Sequence, residues 1–487
     1  MLFNSPLFLF LFLPLTLLGH FIIGEKLKNS YLLVLSLLFY AWGESFFILV
    51  LCTSIVFNYV MAISISHLKS IKAKYAAFVL YFAITINLIL LFSFKYLNFI
   101  VNNLNFLLDI FHLPLFSLPA HALPLGISFF TFHAISYLID IYRGDCPVQK
   151  NFINMALYIS FFPQIIAGPI IRYKSIADQI LKRTVNTAAF NEGVRRFITG
   201  LGKKVLIADA IGYVANKILI TPESFLTFGL CWLGALCFTL QIFLDFSGYS
   251  DMAIGLGKMF GFTFIENFNF PYVSKSIREF WRRWHMSLST WFRDYLYIPL
   301  GGNKVSINRT YINLAIVFLL VGLWHGANWT FIIWGIWNGV FLIFERTSAY
   351  KGLARLWGPL QHLYALFVVM AGFVIFFSPN LTYTGIFFKK MFLLEGLKNT
   401  AGLTVSMYLD RESVIAIGLG CFFSMDFYLH IYEAIKTLLH SSDDQWKVST
   451  RNLIFPAFRL IWYSSILLLS CMGLASNTYN PFIYFKF

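Results

Sequence analysis

Two histidines about 40 positions apart, His285 and His325, sit where side-chain chemistry could take place. His285 stands among arginines in SIREFWRRWHMSLSTWFRDYLYIPLGGN, Ser276 to Asn303. His325 stands between apolar runs in GLWHGANWTFIIWGIWNG, Gly322 to Gly339. Runs of that length belong in a membrane, where an ionisable side chain is costly and is a functional candidate by default. A desolvated histidine is expected to be neutral at physiological pH, and a neutral imidazole can take a proton from a hydroxyl as general base. His325 is therefore the candidate reaction centre. The competing reading is a histidine that only bonds across helices. Against it, Gly326, Ala327 and Asn328 interrupt the apolar run and let backbone approach closely. If the span starts near Tyr311, a rise of about 1.5 Å per residue puts His325 roughly 20 Å from the inner surface.

At 100° per residue, a helix over Arg278–Tyr295 gathers Arg278, Arg282, His285, Ser289 and Arg293 on one stripe. Phe280, Trp284, Leu288, Trp291 and Tyr295 fall opposite. Such a helix lies in the membrane interface, its aromatic face in lipid or protein and its basic face toward water or a polar cavity. It reads either as an anchor without chemistry or, because a histidine shares the arginine stripe, as a place for an anionic ligand such as a phosphorylated carrier. Two other spans carry polar groups at depth. LPLGISFFTFHAISYLIDIYRGD holds Ser128, Thr131, His133, Tyr137 and Asp140. QIFLDFSGYSDMAIGLG holds Gln241, Asp245, Ser247, Tyr249, Ser250 and Asp251. Helix–helix bonding explains many of these; Asp245 and Gln241 are candidates for contact with substrate. Trp324 shapes a cavity, and Asn328 flanks it.

These residues must be positioned by membrane-spanning helices. The 487 residues are 59% hydrophobic, 19% aromatic and 12% charged, against about a quarter charged in a globular domain. Repeated apolar runs near the roughly 20 residues that cross hydrocarbon make an all-α polytopic membrane protein. The net charge of +15 sits in short connectors, as the positive-inside rule predicts, so it argues for orientation and against nucleic acid. Six cysteines form no zinc or CxxC spacing, and no metal site is expected. The apolar N-terminus, followed by Glu25, Lys26 and Lys28, reads as an uncleaved first span.

Placing the basic connectors in the cytoplasm gives about 11 or 12 spans, by the roughly 20-residue criterion. Ala76–Phe94 leaves the cytoplasm, Leu123–Tyr142 returns, and Phe152–Ile170, broken by Pro163, Gly168 and Pro169, is re-entrant. The connector Arg172–Lys204 is cytoplasmic, and Val205–Ile220 with Phe225–Met259 forms a hairpin. Tyr311–Trp324 rises, Thr330–Phe344 returns, and Leu363–Phe377 rises again. Residues Ser378–Arg411 are expected as an outer loop, Val414–Ile431 as a descending span and Ile454–Leu474 as the last ascent. The chain divides into N-terminal helices (1–122), a catalytic core (123–345) and C-terminal helices with an outward tail (346–487). No internal repeat and no separate soluble domain is evident.

Five segments between Leu123 and Gly339 carry a family resemblance: LPLGISFFTFHAISYLIDIYRG, FFPQIIAGPIIR, QIFLDFSGYSDMAIGLG, FWRRWHMSLSTWFRDYLYIPLGGN and LWHGANWTFIIWGIWNG. As an ordered set they resemble the membrane-bound O-acyltransferase (MBOAT) family. The branch is the bacterial one of alginate and peptidoglycan O-acetyltransferase subunits and the D-alanyl transfer protein of teichoic acid modification. The resemblance implies helices around a central funnel or tunnel with a thin floor, His325 as the family's central histidine and His285 as its second functional histidine. It implies an acyl group taken from a cytoplasmic thioester, acetyl-CoA in the acetylating branch, with no permanently bound cofactor. It also implies an outer-face partner of the SGNH hydrolase type, and location in a bacterial inner membrane.

The ending PFIYFKF resembles the FxYF-type tail of this branch, in which a tyrosine, here Tyr484, is proposed to carry the acyl group. Lys486 stands where the pattern has glutamine, a departure that leaves the tyrosine untouched. Tyr484 also reads as a plain interfacial anchor. The expected mechanism is a relay. Acetyl-CoA docks with its phosphates near Arg278 and Arg282, His325 deprotonates Tyr484, His285 positions the thioester or departing thiolate, and a partner serine receives the acetyl group outside. Two alternatives stay open: D-alanine as cargo on the same fold, and a transporter, which broken helices and buried acids also describe.

Overall fold

A computed structural model describes residues 1–44, 46–119, 122–393, 403–440 and 455–476. Among them there is helix and no strand, as a bilayer requires of a chain that must bond its own backbone. A π-helical turn (Phe8–Phe12) leads into α1 (Leu13–Ile22), followed by α2 (Lys28–Gly43), α3 (Ile48–Ile71), α4 (Ala73–Lys95) and α5 (Leu97–Ile110). Then come α6 (Ile127–Arg143), α7 (Phe152–Ser160), α8 (Phe162–Ile165), α9 (Tyr173–Leu181) and α10 (Thr187–Gly202). A π-helical stretch (Lys203–Ala208) joins α10 to α11 (Asp209–Leu219), and α12 spans Phe228–Met259. The short α13 (Ile277–Arg283) and α14 (Met286–Phe292) precede α15 (Ile307–His325), α16 (Trp329–Phe344), α17 (Tyr350–Leu353) and α18 (Gly358–Phe377). The chain continues through α19 (Leu381–Phe392), α20 (Arg411–Phe423), α21 (Phe427–His440) and α22 (Phe455–Ser476).

Six of these, α3, α4, α12, α15, α18 and Pro456–Ser476 within α22, are long and apolar enough to cross a membrane. Phe8–Ile22 and α16 are shorter apolar helices. The protein is a multi-pass membrane protein. The expected re-entrant segment is the broken pair α7–α8, which turns at Phe161 ahead of Pro163 and is buried almost throughout. Irregular backbone at depth is tolerated there because protein covers it.

Three expectations are corrected. Ser378–Arg411 contains helix α19, whose Tyr383, Phe387 and Met391 are buried. Val414–Ile431 is two helices, α20 and α21, parted at Ser424–Asp426. The Arg278–Tyr295 helix is also two, α13 and α14, with His285 between them in the left-handed region at φ 41°. Trp284 closes α13 in extended backbone and donates its N–H to Phe280 O at 2.8 Å.

The scaffold is α12, buried along most of its 32 residues. It packs on α10 through glycines: a methyl at Gly200 would strike the Gly248 carbonyl, and one at Gly193 the Gly255 carbonyl. Close small-residue contact is how helices associate without a hydrophobic drive in lipid. The same device joins α15 to α16 at Gly322 and Gly335. Asn328 caps α16 by accepting the Thr330 N–H at 3.2 Å, and its amide donates to Pro379 O at 3.1 Å.

Candidate active site

The break between α13 and α14 turns His285 inward. On a continuous helix it would share the arginine stripe; here it is fully buried while Arg278, Arg282 and Arg293 stay exposed. The left-handed conformation of a non-glycine residue costs about 1–2 kcal/mol. Backbone bonds on both sides hold it: Asn269 N–H to Arg283 O at 2.9 Å and Met286 N–H to Asn267 O at 2.9 Å. Just past the end of α16, the buried Glu345 carboxylate accepts the N–H groups of Ile277 (2.5 Å) and Arg278 (3.0 Å), securing the start of α13.

Asn267 also fixes the His285 tautomer. Its Oδ1 meets the Ser287 backbone N–H at 3.3 Å, the Ser287 hydroxyl at 2.9 Å and His285 Nδ1 at 3.1 Å. A backbone N–H can only donate, so the Asn267 atom it meets is the amide oxygen, and His285 Nδ1 must carry the proton. The ring's lone pair is then on Nε2, the tautomer a base or hydrogen-bond acceptor needs. The Asn267 amide nitrogen donates to Ser250 Oγ on α12 at 3.0 Å, completing a buried line from Ser250 to His285.

His325 closes α15. Its ring lies 4.9 Å from Trp324, 4.9 Å from Trp334 and 5.2 Å from Phe376, all edge-on. His285 stands 5.9 Å from the same Trp324 ring and 4.7 Å from Phe246. Trp324 is therefore shared by both imidazoles. Phe132 stacks between Trp291, at 3.9 Å, and Trp324, at 5.7 Å, bracing the indole from α6.

One cavity opens onto this layer, and a second meets only the Asn267–Ser250 line behind His285. The first, of about 100 Å³, is lined by His325, Trp324, Lys95, Ser128, Gly126 and Ile166. It lies where α4 ends, α6 begins and α15 ends, three points that the positive-inside orientation places together toward the outer face. The other, about 60 Å³, is lined by Ser250, Asn267, Arg196, Lys203, Asp251 and Glu266, on the cytoplasmic side in that orientation. A water occupies about 30 Å³, so each holds a few waters or one small acyl group. A larger cavity of about 590 Å³, between Asn4, Asp209, Tyr213, Asp410 and Glu412, includes neither histidine.

The remaining expected residues scatter. Arg278 and Arg282 are exposed on α13; Ser289 is half-buried and donates to Trp284 O at 3.3 Å. The buried Asp245 pairs with the buried Lys204 (3.0 Å), which also pairs with the half-buried Asp209 (2.6 Å). Gln241 sits over Gly212, where a methyl would strike its amide. Both therefore face the α10–α11 side of α12 rather than the histidines. Asn328 is occupied with helix capping. Tyr484 lies outside the described residues. Among the described residues no group of three or more His, Cys, Asp or Glu could hold a metal.

Sequence reading named Ser250 only as a polar residue at depth and missed Asn267, Glu345 and Lys95. Only Lys95 left a signal, as a lone cation closing the apolar run that precedes Tyr96.

Among the described residues, an all-helical bundle holds two buried histidines around one indole, with a cavity at His325, as a candidate membrane-embedded active site. Residues 146–388 match the model of the MBOAT, membrane-bound O-acyltransferase family. The chain is 41% identical to the probable alginate O-acetylase AlgI of Pseudomonas putida over the whole of both chains. It is 37% identical to the peptidoglycan O-acetyltransferase of Helicobacter pylori, over 83% of this chain and 80% of that one. With the teichoic acid D-alanyltransferase of Bacillus subtilis it shares 32% identity over 52% of this chain and 68% of the other. The chain belongs to the membrane-bound O-acyltransferase family and is an O-acyltransferase.

Proposed function

We propose that this O-acyltransferase takes acetyl groups from cytoplasmic acetyl-CoA and passes them to an acceptor hydroxyl on the outer side of a bacterial inner membrane. The acetyl groups serve O-acetylation of an envelope polysaccharide, alginate or peptidoglycan, the substrates named in its full-length and near-full-length relatives. One observation carries this reading: His285 and His325 share Trp324, and a cavity opens onto His325 and that indole.

In the proposed step the acceptor O–H gives its proton to His325 and its oxygen bonds to the thioester carbon. The C–S bond then breaks, and the CoA thiolate leaves toward the cytoplasm, taking a proton in turn. His285, oriented by Asn267, positions the thioester or the departing thiolate. The exposed Arg278 and Arg282 attract the CoA phosphates. The acceptor is Tyr484, whose acetyl ester is handed to a serine of an SGNH-type partner. The D-alanyltransferase relatives match only about half of this chain, which favours acetyl over D-alanyl cargo.

The test incubates purified protein with labelled acetyl-CoA and reads the C-terminal peptide by mass spectrometry, beside His325→Ala. Label on Tyr484 that disappears in the variant is the expected result. CoA release with no label on Tyr484 would keep the transferase and discard the relay. No turnover of acetyl-CoA, with D-alanyl carrier protein active, would replace the donor.

A further inference from the structure

Lys95 closes α4 beside His325, and nothing in the proposed step uses it. Its Nζ donates to Trp324 O at 2.5 Å and stands 3.5 Å from Ser128 Oγ. It lies 5.8 Å from the Trp324 ring centre and lines the outer cavity with His325. Part of this is structural. The last carbonyls of a helix lack partners within it, and α15 ends without a left-handed turn because Gly326 is extended. Lys95 and its neighbour Tyr96 supply the missing donors, the tyrosine hydroxyl bonding Leu323 O at 2.8 Å.

A hydrogen bond to a carbonyl does not require a charge, and a cation level with buried aromatic rings is costly without a counter-charge. Among the described residues Lys95 forms no ion pair with a carboxylate, and its side-chain hydrogen bonds are to Trp324 O and Ser128 Oγ. An ammonium has three N–H bonds; Trp324 O and Ser128 Oγ account for two directions. A third N–H remains, and Lys95 lines the cavity it shares with His325. The reaction generates one negative charge there. As the acceptor oxygen attacks, the carbonyl π pair moves onto the acyl oxygen, and it returns when the C–S bond breaks.

We infer that Lys95 donates to this oxyanion, stabilising the tetrahedral intermediate formed at His325. The inference rests on the proposed role of His325. Removing one oxyanion donor typically lowers kcat by about 100-fold or more.

Three variants are compared with His325→Ala, with rates of CoA release expressed per folded protein. Lys95→Gln keeps an N–H for Trp324 O and loses the charge; Lys95→Arg keeps the charge; Lys95→Met keeps neither. The inference expects Lys95→Gln to lose about 100-fold in kcat with the KM for acetyl-CoA within about 3-fold and its melting temperature near that of the parent. Lys95→Arg should recover most of that loss. Parental kcat in Lys95→Gln, or rates that follow melting temperature across the three variants, would overturn it and leave Lys95 as a helix cap. Activity retained in His325→Ala would overturn the reading of the site itself. Loss in His325→Ala beside an unimpaired Lys95→Gln overturns only this inference.

Discussion

Replacing Gly335 by alanine should disturb catalysis from a position that touches neither histidine. Gly335 lies on α16 where it crosses α15. A methyl there would fall well inside 3.0 Å of Phe318 O and 3.1 Å from Gly322 Cα. Both neighbours are backbone, so neither can swing aside. Restoring contact at about 3.5 Å requires the two helices to part by roughly 1 Å. His325 ends one of these helices, and Trp334, 4.9 Å from its ring, belongs to the other. Overpacking of this kind costs about 1–3 kcal/mol, and misplacement of a reacting group by about 1 Å can lower the rate about 100-fold. Gly339→Ala is the control, because one turn further along the methyl meets only the Phe318 Cβ at 3.3 Å. A few tenths of an ångström relieve that contact, and alanine improves helix propensity by up to about 1 kcal/mol. The assay is acetyl-CoA turnover and thermal unfolding of the purified parent and both variants. Gly335→Ala is expected to be slow and less stable, and Gly339→Ala near the parent in both. Equal turnover and melting for the two variants would refute the argument that the crossing sets the His325 position.

Asn267→Leu removes the acceptor shared by His285 Nδ1 and Ser287. Each buried donor left without a partner costs about 1–3 kcal/mol, so a lower melting temperature and a fall in kcat are expected together, and a parental kcat would discard the tautomer argument. Lys204→Met leaves the buried Asp245 and the half-buried Asp209 without their cation; a loss of about 3–5 kcal/mol is expected, and unchanged unfolding in denaturant would count against it. Asp294 gives a pH prediction. Burial pushes its carboxyl up, but hydrogen bonds from Arg293 and Arg172, both at 2.6 Å, outweigh this and hold it below the usual range. Because the folded state binds this proton less readily, its stabilisation is present above about pH 4 and declines as pH falls through the depressed folded value. Melting curves across that window should flatten in Asp294→Asn, and identical pH dependence in parent and variant would remove the assignment.

Composition and run length alone determined that this chain crosses a membrane as helices, because hydrocarbon admits no unbonded backbone and a transmembrane helix needs a nearly unbroken apolar run. The same logic singled out His285 and His325, since ionisable residues beside such runs are rare. It failed where local pattern and tertiary contact disagree. The Arg278–Tyr295 periodicity is sound helix by helix. Yet Asn267 and Glu345, 18 and 67 or 68 positions away from the groups they bond, hold the ends of a break that rotates His285 out of the arginine stripe and into the core. Periodicity within a segment carries no information about such partners. Gln241 and Asp245 were legible as buried polar residues, but the face of α12 they occupy was decided by glycines on α10 and α11 and by Lys204. Lys95 met His325 only because α4 and α15, 230 positions apart at those residues, end side by side. Burial is written along the chain, because the bilayer selects for it residue by residue. Partnership belongs to the fold, because hydrogen bonds and charges act over a few ångströms regardless of sequence distance.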